Sequence, residues 1–536
     1  MALRPLTPDM IEANYAKGIW QDRPLYAVID DFARLRPDAP AVADQHERLT
    51  YAELVRRSHS VATWLLEQGL EPGACVALQT PNSVALAITH LACNRADLMF
   101  LPLSNAWRGA EVIHLLKTSR AQIVMVPPTT PEFDYLQMIE KLRPQLPHLN
   151  IVGTSRGGRD GSDFAFEEIS VAQTSQVSIE RDPNVPRFIM VTSGTTALPK
   201  MSQWTDNNLW NFMQRFIRGC KVTEDDVAVG LAPANTGATG YVFPVLGPLL
   251  AGASSVLLEH WDVEKALDLL ESEKATLATA IPTQVVKLLQ DPRIGGRDFT
   301  PLRAFTNAGA AMPPEAAQMM EEVFGCVGHV CYGTTDGGVP TMTAITDPPE
   351  KRQRTVGKPD VDSDVRLVDA LGEDVVPGQS GEVIWRGPTK SFGYFNEPHH
   401  TEAAFDDDGW YSSGDLGRID AEGYLSIVGR AKDLIIRGGQ NISPQELELH
   451  LYKHPAIAEV SVIGIPDPVY GERTCACVVL KPGQQLTLQE VTDFLLSLEV
   501  AKFKLPERLE IFDDLPKSAG GKITKVEIRA AVAARN

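Results

Sequence analysis

From Thr50 to Leu103 the chain alternates amphipathic helix and short apolar strand, a rhythm that few architectures accommodate. Thr50-Tyr51-Ala52-Glu53 has the spacing of a capping box, and it opens a helix whose apolar positions include Leu54, Val61, Leu65 and Leu66, closing near Gly69. Ala74–Gln79 reads as a strand, Ser83 as the cap of a helix over Val84–Cys93, and Met99–Leu103 as the next strand. Helices between strands of this length cover the faces of a layered sheet, so the predicted class is α/β. With 536 residues, more than one domain is expected.

The formal net charge of −19 opposes wholesale binding to nucleic acid or an anionic membrane. Seven cysteines, with only Cys475 and Cys477 closely spaced, make neither a disulfide framework nor paired zinc knuckles, and the N-terminus lacks the apolar run of a signal peptide. The expectation is a cytoplasmic protein. Val227–Leu258 carries no charge and is long enough to span a bilayer, but Pro233, Pro244 and Pro248 would break such a helix, so strand, loop and short helix are expected. Gly153-Thr154-Ser155-Arg156-Gly157 matches a hydrolase nucleophile pattern. It sits in what reads as a surface connection, Gly153–Asp163, and is followed by Gly-Arg-Asp-Gly-Ser rather than a helix.

The chemistry concentrates in a few segments. Thr192-Ser193-Gly194-Thr195-Thr196-Ala197-Leu198-Pro199-Lys200 follows the apolar strand Phe188–Val191; its amides and hydroxyls suit phosphate oxygens, and Lys200 adds charge, although the order is not that of a Walker loop. Tyr332-Gly333-Thr334-Thr335-Asp336 and Tyr411–Asp415, in Trp-Tyr-Ser-Ser-Gly-Asp, come later. Gly429-Arg430-Ala431-Lys432-Asp433 then leads through the strand Leu434–Ile436 to Gly438-Gly439. Beyond these glycines a loop is expected to feed a helix capped by the box Ser443-Pro444-Gln445-Glu446. Near the end stands Leu515-Pro516-Lys517-Ser518-Ala519-Gly520-Gly521-Lys522.

These five segments, in this order, resemble the signatures of the adenylate-forming enzymes, most nearly the acyl- and aryl-acid CoA ligases, and the resemblance runs through the whole chain. It implies a large N-terminal domain of layered sheets and helices, residues 1–430, and a small mobile α/β lid, residues 431–536, with the hinge at Lys432. It implies ATP/AMP, coenzyme A and Mg²⁺ as reactants or cofactors and a carboxylic acid as substrate. Thr192, Ser193, Gly194, Thr195, Thr196 and Lys200 would hold the triphosphate. Gly309, Ala310, Ala311, Tyr332, Gly333, Asp415 and Arg430 would hold the nucleoside and α-phosphate. Thr334 and Lys522 would be catalytic, Asp336 the metal ligand, and Gly438 and Gly439 the walls of a tunnel for the CoA arm. By position, Asn235, Thr236, Gly237, Asn307 and Gly338 would line the acid pocket. Because those segments are mostly small residues and lack a His-Asn pair, a bulky or medium-size hydrophobic acid is expected.

The sequence departs from this pattern at Ala197 and Met201, where glycine is usual, and at Asp336, where glutamate is usual. Replacing a glycine that needs a positive φ costs about 1 kcal/mol or more, and aspartate is one methylene shorter than the usual metal ligand. The departures admit a second reading, in which the chain performs only thiolation of an acyl-adenylate made by a partner enzyme. A third reading is an aryl-acid ligase loading a carrier-protein thiol, since Tyr15–Trp20 resembles the N-terminal segment of that group.

Overall fold

A computed structural model describes residues 7–127, 130, 133–156, 161–172, 175–192, 198–233, 237–518 and 521–535. The alternation beginning at Thr50 builds a seven-stranded sheet in the order Phe164–Ala165, Ile151–Thr154, Ile123–Val126, Cys75–Gln79, Met99–Leu103, Phe188–Thr192 and Lys200–Trp204. All neighbours in it are parallel except the last pair. A nine-stranded sheet joins residues 40–50 to strands between Val227 and Pro359, with a parallel centre and antiparallel edges. Every residue of the helix Val84–Arg95 is buried, which explains its apolar circumference; a helix packed on all sides has no face to keep polar. The Thr50–Glu53 capping box is formed as the sequence indicates.

A four-stranded antiparallel sheet (Asp364–Val368, Gly381–Arg386, Tyr411–Ile419, Leu425–Arg430) follows. The chain then enters a five-stranded sheet that starts at Ile435 and has its own apolar cluster around Leu447, Val462 and Leu495. The arrangement is mixed α/β, with a large N-terminal body and a smaller C-terminal one.

Several local expectations are corrected. Gly153 and Thr154 belong to the strand Ile151–Thr154, where a Cβ added at Gly153 would come 2.3 Å from the Phe164 ring, and Ser155 is buried against the Val126 carbonyl, so the connection to the strand Phe164–Ala165 starts later than expected. Within Val227–Leu258 the expected strand and short helix are present, as Val227–Gly230 and Gly247–Leu250, and the departure is that Ala238–Leu246 between them is a π-helix containing Pro244. The strand expected at Leu434–Ile436 runs Ile435–Arg437, and Gly438-Gly439 is a hairpin turn into a further strand, Gln440–Ile442, rather than the start of a loop. Ser443 does cap the next helix by accepting from the Glu446 amide, but the Glu446 carboxylate binds Lys504 at 2.7 and 2.8 Å instead of closing the box.

Met201 is also corrected. It occupies the strand Lys200–Trp204, pairs with Val191 and is fully buried with Leu101, Leu103 and Val191, and it is not among the residues with positive φ. No strained glycine position has been filled there. Met201→Gly should therefore open a core cavity and lower the unfolding free energy by about 3 kcal/mol, measured by urea denaturation; unchanged stability would contradict this placement.

Candidate active site

The strand Val327–Thr334 carries Tyr332 and Thr334 to the edge of a cleft, and the strands Tyr411–Ile419 and Leu425–Arg430 bring Asp415 and Arg430 to the same place. The Tyr332 hydroxyl donates to Asp415 Oδ2 at 2.9 Å, and Arg430 Nε donates to Asp415 Oδ1 at 2.7 Å. Asp415 is 3% exposed, and burial raises its pKa against the opposing pull of Arg430. Two paired strands and a third strand from another sheet thus share one carboxylate, and removing Arg430 would leave its buried charge without an ion-pair partner.

Lys522 enters this cleft from the C-terminal body. A Cβ added at Gly309 would lie 3.1 Å from Lys522 Cε, 3.4 Å from its Nζ and 3.6 Å from Thr239 Oγ1, so the lysine tip lies directly against this glycine. Gly309 also has φ +91°. Ala310 and Ala311 follow it at an exposed edge. The Lys522 side chain keeps accessible surface. Desolvation followed by the charge of Arg430 lowers its pKa to about 8.

Contacts between the two bodies hold it there. Thr283 Oγ1 donates to the Gly521 carbonyl at 3.4 Å, Ser443 Oγ to the Val428 carbonyl at 2.6 Å, Gln445 Nε2 to the Ile427 carbonyl at 3.2 Å, and Lys453 pairs with Glu315 at 3.1 Å. Lys432 lies in the turn Ala431–Asp433 between the bodies, its pKa lowered by burial and then by Arg430.

The turn after Thr334 is closely packed. Thr334 Oγ1 donates to the Tyr411 hydroxyl at 3.0 Å and accepts from the Gly337 amide at 2.8 Å. Asp336 Oδ1 accepts from the Tyr411 hydroxyl at 2.8 Å and Oδ2 from the Tyr394 hydroxyl. Added Cβ atoms would strike the Gly338 carbonyl oxygen at 2.2 Å from Gly333, the Tyr411 ring at 2.3 Å from Gly337, and the Thr389 carbonyl oxygen at 2.0 Å from Gly338. Gly338 therefore serves close packing of the 388–391 segment.

Of the phosphate loop, Ser193, Gly194, Thr195, Thr196 and Ala197 lie outside the described residues, as do Asn235 and Thr236 of the acid pocket. Thr192 Oγ1 accepts from the Lys200 amide at 3.3 Å, and the Lys200 ammonium lies 5.1 Å from the Tyr394 ring centroid. Gly237, with φ +78°, faces Thr335 and Met190 across a gap that a Cβ would narrow to 3.5 and 3.8 Å.

Asn307 makes no hydrogen bond to any described residue expected in the site. Alternation along Ala304–Ala308 puts it on the face of Phe305, which packs on Phe324 with ring centroids 5.4 Å apart, and its buried amide makes no hydrogen bond among the described residues. Gly438 and Gly439 form an exposed turn with φ +56° and +82°, and an added Cβ at Gly439 meets nothing within 4 Å. Sequence reasoning missed Tyr394, the Tyr411 hydroxyl and Thr239. Tyr411 lies in the segment Tyr411–Asp415, in which the resemblance gives a role to Asp415 alone.

Asp336, expected as the Mg²⁺ ligand, is already engaged by protein groups. Both carboxylate oxygens accept phenolic O–H groups, and the described residues hold no group of three or more His, Cys, Asp or Glu suited to a metal. No described helix is long and apolar enough to cross a membrane.

Residues 29–395 match the AMP-binding enzyme family, and residues 446–522 match the AMP-binding enzyme C-terminal domain. The chain belongs to this adenylate-forming family. Among AMP-binding enzymes it is 34% identical to the medium-chain fatty-acid–CoA ligase of Escherichia coli K12 over 523 residues, 97% of this chain and 92% of that protein. It is 32% identical over 533 residues to the salicyl-AMP ligase / salicyl-S-ArCP synthetase of Mycobacterium tuberculosis H37Rv, covering 97% and 93%. The ATP-bound structure of MatB from Rhodopseudomonas palustris superposes with a TM-score of 0.84 at 28% identity, over 94% of this chain and 98% of that one. With such relatives, this AMP-binding enzyme is an acid–thiol ligase by class.

The lowered lysine pKa is directly testable. Near pH 8 about half of Lys522 is neutral, whereas an ordinary lysine with pKa about 10.4 is almost wholly charged. Brief acetic anhydride labelling at that pH, read by peptide mass spectrometry, should modify Lys522 faster than the exposed Lys502. Equal or slower labelling would contradict this electrostatic environment.

Proposed function

We propose that this protein is an acid:CoA ligase that converts a bulky or medium-size hydrophobic carboxylic acid first to its acyl-adenylate and then to its CoA thioester. The observation that carries the reading is the entry of Lys522 into the cleft beside Gly309, where it feels Arg430 and Asp415. In the first half-reaction a carboxylate oxygen attacks the α-phosphorus of ATP and pyrophosphate leaves. Negative charge grows on the phosphate oxygens, and a preorganised ammonium stabilises it. Asp415 is suited to the ribose hydroxyls, the Tyr332 ring to the adenine face, and Thr334 with Arg430 to the α-phosphate; Thr192, Lys200 and the 193–196 segment are assigned to the triphosphate. Gly309, Ala310, Ala311 and Gly333 let the nucleotide approach the backbone. Gly237 and its small neighbours leave room for the acid.

In the second half-reaction the CoA sulfur attacks the acyl carbon, AMP leaves, and the thiol proton passes to solvent. We assign residues 431–536 as the lid that exchanges the Lys522 face for the Gly438-Gly439 turn, pivoting at Lys432. The open space around Gly439 suits passage of a narrow thiol arm. An acceptor thiol on a carrier protein is the alternative that the salicyl-S-ArCP relative favours. The thiolation-only reading loses one support, because Met201 is an unstrained core residue.

Two substitutions separate the half-reactions. Lys522→Ala should slow acyl-adenylate formation by about a hundredfold to a thousandfold while largely sparing thiolation of supplied acyl-adenylate. Gly439→Leu should do the reverse, leaving pyrophosphate release intact and suppressing thioester formation. Equal effects of either change on both steps would refute the division of labour.

A further inference from the structure

A carboxylate that ligates a metal must offer it an oxygen lone pair in a fixed direction. Asp336 has both oxygens hydrogen-bonded, Oδ1 twice and Oδ2 once, so that only Oδ2 keeps a lone pair. Oδ1 accepts from Tyr411 at 2.8 Å and from the Gly337 amide at 3.2 Å, and Oδ2 accepts from Tyr394. Ser391 Oγ also donates to the Asp336 carbonyl, and the Trp204 indole donates to the neighbouring Thr335 carbonyl at 3.2 Å.

The two phenols come from different parts of the fold. Tyr411 starts the strand that carries Asp415, and Tyr394 belongs to the segment that bridges to the Lys200–Trp204 strand through the pairing of Ser202 with Tyr394. Asp336 itself lies in the turn between the strands Val327–Thr334 and Gly338–Met342. One short side chain therefore ties together the nine-stranded sheet bearing Tyr332 and Thr334, the four-stranded sheet bearing Asp415, and the strand that begins with Lys200. The tie continues into the site, since Tyr411 accepts from Thr334 at 3.0 Å and the Lys200 ammonium lies over the Tyr394 ring. Each phenol buried beside a carboxylate favours its protonated, donating form.

We propose that Asp336 is a positioning residue, which fixes the Tyr332–Thr334 edge against the Asp415 strand through Tyr394 and Tyr411, and that the divalent cation accompanying ATP is held by the triphosphate and water without this carboxylate. The missing methylene relative to glutamate then has a purpose, because the shorter arm keeps the carboxylate between the two phenols instead of extending it into the phosphate region. This inference rests on the adenylating reading given above.

The test uses the full-length chain and its Asp336→Asn, Tyr394→Phe and Tyr411→Phe variants, with calorimetric titration of AMP, and of the non-hydrolysable analogue α,β-methylene-ATP across a Mg²⁺ series. AMP has no β- or γ-phosphate to carry a metal, so its binding reports positioning alone. All three variants should weaken AMP by about fivefold or more, the worth of one lost hydrogen bond, while the Mg²⁺ concentration for half-maximal analogue binding stays where it is in the unaltered protein. A rise of about tenfold or more in that Mg²⁺ midpoint for Asp336→Asn would make the carboxylate a metal ligand and overturn the proposal. Should Asp336→Asn not fold, the phenylalanine variants decide alone. They keep the carboxylate and free one of its oxygens, so a fall in the Mg²⁺ midpoint would overturn the proposal and an unchanged one would support it. Unaltered AMP affinity in every folded variant also overturns it. Failure of the unaltered protein to bind AMP at all is a different result, and it would strike the adenylating reading itself.

Discussion

An ammonium group placed within the field of a guanidinium, with water partly excluded, is unfavourable unless an anion is to occupy the space between them. Lys522 is in that situation: desolvation first, and the charge of Arg430 second, lower its pKa to about 8. Asp415 offsets part of the repulsion, but it is itself engaged by Arg430 and Tyr332. The excess positive charge of the cleft stands out in a chain whose net charge is −19. A nucleotide phosphate is the anion that this geometry suits, and its arrival would restore the charged form of the lysine.

The rest of the fold can be understood as the means of holding that unfavourable pair. Lys522 belongs to the C-terminal body, so its position depends on contacts as slender as Thr283 to Gly521 and Lys453 to Glu315. Such contacts are polar and partly solvated, and they cost little to break. Arg430 ends the last strand of the four-stranded sheet, and the next sheet starts at Ile435, so the chain between them crosses from one body to the other. Like charge near the seam and weak contacts across it are what an element meant to leave the cleft after one step would require.

Much of this was legible in the sequence because it depends on local pattern. The helix–strand alternation from Thr50 to Leu103 and the Thr50 capping box follow from periodicity and short-range hydrogen bonding. Pattern failed where tertiary partners intervened. Glu446 left its capping box for Lys504, a residue from a distant loop. The π-helix at Ala238–Leu246 looks from sequence like any proline-interrupted apolar run. Met201 seemed a missing glycine, and only its pairing with Val191 reveals a strand residue. Tyr394 and Tyr411 carried no signal for their shared carboxylate, because the three residues meet only when separate sheets pack.

The central claim is that this cleft activates a carboxylic acid with ATP. ATP–pyrophosphate exchange, run on the unaltered protein without CoA across a panel of medium-chain, alicyclic and polycyclic acids, tests it most directly. The account predicts exchange that depends on the acid and is strongest for a bulky hydrophobic member. Absence of exchange with every acid, in a preparation that still converts supplied acyl-adenylate and CoA to thioester and AMP, would contradict it and leave a thiolation-only enzyme.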